Sequence, residues 1–131
     1  MPTNFLALED VLWIHDEVVI KEFGGSYGVL SLASLESAVE TPQQTMFDEE
    51  LYPDLISKAG MLFYLLVKNH CFIDGNKRTA TLSLIEFLER NACTVEATQN
   101  ELVQFALAVA TSALDKEATI TWVREHLQAI S

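Results

Sequence analysis

The sequence is poor in positive charge, in cysteine and in long hydrophobic runs. Eight lysines and arginines stand against 19 aspartates and glutamates, so the formal net charge is −11. This balance argues against direct nucleic-acid binding, because such proteins gain most of their affinity by neutralising phosphates with Lys and Arg. No apolar run reaches the ~18 residues of a membrane span, and no basic segment precedes a hydrophobic one at the N-terminus. We therefore expect a cytoplasmic protein without membrane contact, with free thiols at Cys71 and Cys93.

The hydrophobic content is sufficient for one folded domain. Half of the 131 residues are hydrophobic, which is typical of a globular chain rather than a disordered one. This length suits a single core and is too short for two, so we predict one domain over residues 1–131. Only residues 93–96 alternate as a strand would, and they are too few to carry a sheet. The predicted fold class is all-α, with about six helices.

Helical signals divide the chain into segments. Apolar spacing, caps and breakers predict helices within residues 1–23, 32–40, 55–68, 76–91, 98–113 and 119–130. Gly24 ends the first helix, Pro53 suits the first turn of the third, and Ala59 and Gly60 would allow close helix packing. The last helix should bury one face, formed by Trp122, Val123, Leu127 and Ile130. Residues 43–52 lack a period and should form a connector or an exposed flap.

The stretch 70–78, between the two central helices, concentrates polar chemistry. A helix start presents unpaired N–H groups and a positive dipole end, so Lys77 and Arg78 placed there imply that an anion binds between them. Asp74 could hold the divalent cation that accompanies a polyphosphate, Gly75 lets the backbone approach a ligand, and His70 supplies a titratable base. Taken singly, His70 and Asp74 could be helix caps and the two cations a solvated face. Together these residues favour a phosphate site.

The order His-x-Phe-x-Asp-Gly-Asn-Lys-Arg resembles the signature of the Fic/Doc superfamily. Lys77 before Arg78 makes it similar to the Doc branch, the toxins of toxin–antitoxin pairs. Further stretches extend the resemblance over about residues 8–94: Ile14-His15-Asp16, Gly24-Gly25, Leu35-Glu36-Ser37-Ala38, Pro42-Gln43-Gln44, Tyr52-Pro53 and Phe87-Leu88. The last third of the chain matches only as helices.

The resemblance implies a role for each motif position. His70 would be the general base that takes the proton from a target hydroxyl, a role for which histidine's near-neutral titration is suited. Phe72 would point into the core and fix the loop, and Asp74 would hold a magnesium ion that bridges the phosphates of ATP. Charge on the transferred group would be stabilised by donors from Gly75, Asn76, Lys77 and Arg78.

Position 77 bears on which phosphate is transferred. In the Fic branch, which transfers AMP, a glycine occupies this place and a second arginine follows where this chain has Thr81. The Doc resemblance instead implies a protein Ser/Thr kinase-like enzyme that transfers the γ-phosphate of ATP to a translation elongation factor. The expected target is elongation factor Tu, and its modification would halt translation. AMP transfer to a protein hydroxyl remains an alternative. An inactive relative that only binds an antitoxin or a nucleotide is a further one.

Control of the activity is expected to come from a separate antitoxin. Self-inhibited relatives carry a Ser/Thr-x-x-x-Glu-Gly/Asn helix whose glutamate pairs with the motif arginine. Only near misses occur here: Glu49 is followed by another glutamate, and Glu125 is followed by a histidine.

Two features of the sequence raise other readings. Cys71 stands where proline is frequent in the family, which puts the rigidity of the loop in question. A nucleophilic pair of Cys71 and His70 is disfavoured, because the side chains of adjacent residues rarely turn toward each other. His15-Asp16 resembles part of the metal-binding set of the HD phosphohydrolases. No histidine precedes His15, however, so a structural place or one near the substrate entrance is expected for it.

Overall fold

The computed structural model describes residues 2–130, most of which lie in six helices if the first, composite helix is counted once. Helix α1 comprises Leu8–Trp13, a π-helical segment Ile14–Ile20 and a last turn Lys21–Phe23. The others are α2 Leu32–Glu40, α3 Leu55–Lys68, α4 Asn76–Glu89, α5 Gln99–Ala110 and α6 Lys116–His126. Strands in the described residues form only two short antiparallel pairs, and the all-α prediction is confirmed.

Helix α3 lies at the centre of the molecule. Its apolar residues are buried nearly all round, and it packs mainly against α4 and α6. The ring of Phe63 in α3 stacks on Phe105 of α5 at 4.4 Å between centroids, and Phe105 stacks on Trp122 of α6 at 3.8 Å. Because α3 packs mainly against α4 as well, these two helices are the central pair that the sequence predicts, with residues 70–75 between them. No helix of residues 2–130 has both the length and the apolarity needed to cross a membrane.

Gly60 of α3 lies in close contact with Ile120 of α6. A Cβ atom at this position would lie 2.7 Å from Ile120 Cγ1 and 3.0 Å from Ile120 Cα. The prediction of close helix packing at Gly60 is thereby confirmed.

We expect Gly60→Ala to lower the free energy of unfolding by about 1–3 kcal/mol, because the added methyl group overpacks this contact. Chemical denaturation measures the change. In a double-mutant cycle, Gly60→Ala combined with Ile120→Ala should cost less than the sum of the two single variants. Strict additivity would contradict the proposed contact.

Side-chain caps decide where several helices begin. Asp54 accepts a hydrogen bond from the Ser57 backbone N–H at 2.7 Å, which lowers the pKa of Asp54. Helix α3 therefore begins at Leu55, as predicted, but Pro53 lies before the cap and not in the first turn. Helix α6 starts earlier than residue 119, because Asp115 accepts from Ala118 N–H. Helix α5 does begin at its predicted capping box but ends at Ala110, before Ala113.

The C-terminal end of the last predicted helix is wrong. Helix α6 ends at His126, and Leu127–Ala129 forms strand β4, which pairs antiparallel with strand β3, Cys93–Val95. The alternation at residues 93–96 therefore does belong to a strand pair. Ile130, expected on a buried face, is 49% exposed.

The connector at residues 43–52 forms an exposed hairpin. Strands β1, Thr45–Met46, and β2, Glu49–Glu50, flank Phe47 and Asp48, which both have positive φ, as a two-residue type I′ turn requires. This agrees with the predicted exposed flap.

Candidate active site

The loop between α3 and α4 is held by the segment that follows α1. The backbone N–H groups of Leu30 and Ser31 donate to the Cys71 carbonyl at 2.8 and 3.1 Å, and Ile73 N–H donates to the Gly28 carbonyl at 3.1 Å. These bonds supply the rigidity that a proline at position 71 would otherwise give.

Cys71 itself takes no part in polar chemistry. Its side chain is buried, and burial raises the pKa of the thiol to about 11. A thiolate nucleophile is therefore disfavoured at this position. Both cysteines are free, as the sequence predicts.

Phe72 and Asn76 lock the loop to the start of α4. Phe72 is buried, as expected, and its N–H donates to Asn76 Oδ1 at 3.0 Å. Asn76 Nδ2 in turn donates to the Phe72 carbonyl at 2.8 Å. The side chain of Asn76 is thus held within the loop, and its backbone N–H lies at the start of α4, where it can serve as a phosphate donor.

The start of α4 is open to an anion. Gly75 is the N-cap in the left-handed region, with φ +79°, and no side chain caps the helix. The backbone N–H groups of Asn76, Lys77 and Arg78 lie in the first turn, where no intrahelical acceptor exists. Such a turn is a common site for phosphate groups.

Two cations stand on the same turn. The side chains of Lys77 and Arg78 are exposed, and the ion pairs of residues 2–130 include neither of them. The Arg78 guanidinium lies over the ring of Phe23, 4.2 Å from its centroid. Neither near-miss glutamate, Glu49 nor Glu125, pairs with Arg78.

A cleft of about 460 Å³ opens above this helix start. One wall is polar and consists of Asp74, Gly75, Asn76, Lys77 and Arg78. The other is mainly apolar and is formed by α4 and α5 side chains: Leu82, Ile85, Leu102, Val103, Ala106 and Leu107. The cleft therefore joins an anion-binding end to an apolar end.

Asp74 is the carboxylate of this cleft. Its Oδ1 accepts from Gly75 N–H at 3.0 Å and its Oδ2 accepts from Ser26 N–H at 3.2 Å. Gly25 permits the segment after α1 to lie close to Asp74, because a Cβ at this position would lie 2.8 Å from Asp74 Oδ2. No cluster of three or more metal-ligating side chains occurs within residues 2–130. A magnesium ion fits this arrangement if Asp74 is its single protein carboxylate and phosphates and water complete the shell.

His70 does not line the cleft. It follows the end of α3 in a left-handed conformation, with φ +46°, and its side chain is exposed. The structure thus groups the five motif residues from Asp74 to Arg78 around one cleft, and His70 is not among the residues that line it.

His15 of helix α1 has the structural place that was one of the two expected for it. His15 is fully buried, its Nε2 lies 2.8 Å from the Asp74 carbonyl oxygen, and its Nδ1 lies 2.8 Å from Asp16 Oδ1. Because protein oxygens occupy both ring nitrogens, His15 is not disposed to bind metal, and the HD-phosphohydrolase reading loses its ligand. The sequence signal for His15 was a histidine at an apolar position of a helix. Nothing in the sequence marked Phe23 or Ser26 as part of the site.

Comparison with known proteins agrees with the motif. The family model described as Fic/DOC family matches residues 5–88. The chain is similar to "Toxin Doc" of Mycolicibacterium smegmatis (strain ATCC 700084 / mc(2)155), with 38% identity over 95 residues, 72% of this chain and 70% of the relative. It is also similar to "Protein kinase doc" of Escherichia phage P1, with 30% identity over 90 residues, 69% of this chain and 70% of that protein. The chain belongs to the Fic/Doc family.

Proposed function

We propose that this protein is a Doc-like toxin that transfers the γ-phosphate of ATP to a hydroxyl group of a protein target and so halts translation. A Ser/Thr side chain of a translation elongation factor, in particular elongation factor Tu, is the proposed acceptor. The observation that carries the proposal is the joining of an uncapped helix start, two unpaired cations and a carboxylate in one cleft, with an exposed histidine in the loop that leads into this helix.

Each residue has a place in the proposed transfer. His70 takes the proton of the acceptor hydroxyl while the hydroxyl oxygen bonds to the γ-phosphorus of ATP. The bond between the γ-phosphorus and the oxygen that bridges it to the β-phosphate breaks, and ADP leaves. The backbone N–H groups at the start of α4 and the cations of Lys77 and Arg78 stabilise the phosphate charge. Magnesium, held by Asp74, would neutralise part of the charge on the nucleotide phosphates.

Position 77 and the next helical turn support γ-phosphoryl transfer over AMP transfer. Lys77 puts a long cation where AMP-transferring relatives have glycine. Thr81 stands in the place of their second arginine and is neutral, and its hydroxyl donates to the Lys77 carbonyl at 2.9 Å. Lys77 and Arg78 form a cationic cradle at the helix start. Because one cation of this cradle lies nearer the helix start than in those relatives, the triphosphate should bind in a different position.

The names of the relatives support the biological setting. One is called a toxin and the other a protein kinase, and toxins of this kind are paired with an antitoxin. We propose that an antitoxin in trans covers the cleft or the surface beside it. A segment that folds on binding suits this role, because it can wrap a large surface.

Purified protein incubated with elongation factor Tu and labelled ATP tests the proposal. We expect the γ label to appear on the target and the α label not to, with a requirement for magnesium. Asp74→Asn should reduce transfer and raise the magnesium concentration needed for half-maximal rate, because a neutral amide is a weaker ligand than a carboxylate.

The matched variant Lys77→Gly probes the basis of this selectivity. It should lose γ transfer because the cation at the cradle is removed. Incorporation of the α label by the unaltered protein would instead assign it to AMP transfer. Absence of either label, with ATP bound, would favour the inactive-relative alternative.

A further inference from the structure

We infer that His15 is a positioning residue, which holds the phosphate-binding loop in its working geometry through the backbone of Asp74. The inference deepens the proposed function and rests on it for its kinetic consequence. Its structural basis is separate: a fully buried imidazole reaches from α1 to a loop 59 residues further along the chain.

The contacts of the ring are specific. Nε2 lies 2.8 Å from the Asp74 carbonyl oxygen, and because a carbonyl oxygen only accepts, Nε2 is the donor in this hydrogen bond. Nδ1 lies 2.8 Å from Asp16 Oδ1, which orients the ring from its other side. The face of the ring stacks on Phe72 with 3.8 Å between centroids and 6° between planes. Three contacts in three directions leave the imidazole little freedom to move.

The local helix geometry brings this ring to the loop. His15 lies in the π-helical segment Ile14–Ile20 of α1, and such segments occur frequently at functional sites. The same segment packs on the helix start itself: a Cβ at Gly75 would lie 2.9 Å from Val19 Cγ1 and 3.7 Å from His15 Cδ2. The backbone of residues 74–75 is therefore held by the π-helical segment and by the hydrogen bonds of the Asp74 side chain.

These contacts act on groups that line the cleft. Asp74 supplies the carboxylate, and the peptide that His15 holds leads directly into Gly75 and the free N–H groups of α4. A small displacement of this peptide would misplace both the carboxylate and the anion-binding turn. Supporting residues of this kind typically change activity or metal affinity about 10–100-fold when they are replaced.

Two substitutions separate the hydrogen bond from the ring. His15→Phe retains an aromatic ring to stack on Phe72 but cannot donate to Asp74. His15→Gln loses the stacking but retains an N–H that can reach the Asp74 carbonyl. A core histidine that serves only to fill space would predict the opposite order, with Phe better tolerated than Gln.

The two variants and the unaltered protein should be compared by amide hydrogen exchange without ligand, by thermal unfolding and by γ-phosphoryl transfer. We expect His15→Phe to exchange faster at Gly75 and Thr79 and to lose about 10–100-fold in kcat/KM for ATP. His15→Gln should recover part of both. Exchange at Leu66 and Val109, in the core away from the loop, should be unchanged.

The outcomes decide between a positioning and a space-filling role. Faster exchange confined to the loop in His15→Phe, with recovery in His15→Gln, supports the inference. Wild-type exchange and kcat/KM in His15→Phe overturns it, as does a loss that follows the melting temperature alone. If His15→Phe does not fold, loop exchange in His15→Gln decides: near wild type supports the inference, and exchange raised in the core and loop alike overturns it. Exchange needs no activity, so a protein that transferred no phosphate would refute the proposed function without affecting this test.

Discussion

Replacing His70 with alanine is expected to lower the rate of phosphoryl transfer by about 10²–10⁴-fold, because the acceptor hydroxyl then loses its general base. The side chain of His70 is exposed and belongs to no described core cluster, so the fold should survive the change. Initial rates with γ-labelled ATP measure the loss. Growth arrest on expression should be lost in parallel, since it depends on the same transfer.

The backbone at this position calls for a second variant. His70 has φ +46°, in the left-handed region that asparagine tolerates better than alanine. His70→Asn should therefore be as inactive as His70→Ala while its melting temperature stays closer to that of the unaltered protein. Glu89→Ala, an exposed change at the far end of α4, should leave the rate unchanged. Full activity in His70→Asn would contradict the role of base.

The helices followed from local sequence, whereas the strand pairs did not. The capping box at Thr98 and Glu101 places the start of α5 correctly, because the two partners lie within one turn. Strand β4 depends on pairing with Cys93–Val95, more than 30 residues earlier, and Leu127 fits a helical pattern equally well. A nonlocal pairing thus overrode a local preference at the end of α6.

The same distinction applies to the site. The residues from His70 to Arg78 are contiguous, so their chemistry and their place before a helix could be predicted together. Ser26 reaches Asp74 from 48 residues away and His15 from 59 residues away. No spacing within either stretch indicates these contacts. Packing of α1 against the start of α4 creates them, and this packing becomes visible only in three dimensions.

Expression of this chain without an antitoxin is expected to arrest growth strongly, because no glutamate of the described chain closes the cationic cradle. Self-inhibition would require a carboxylate paired with Arg78, but this guanidinium lies over the ring of Phe23 instead. Glu49 belongs to the exposed hairpin and Glu125 is an exposed residue of α6. Colony counts after induction, compared with those of the His70→Ala variant, measure the effect.

Variants at the two glutamates make this expectation decisive. Glu49→Gly and Glu125→Gly should leave both transfer and growth arrest within a few-fold of the unaltered protein, because neither side chain restrains Arg78. Arg78→Ala should abolish both, since the cradle then loses a cation that stabilises the transferred group. A sharp rise in transfer in Glu125→Gly would place the control within the chain. So would an unaltered protein that is harmless to cells but active in vitro, and an antitoxin in trans would then be unnecessary.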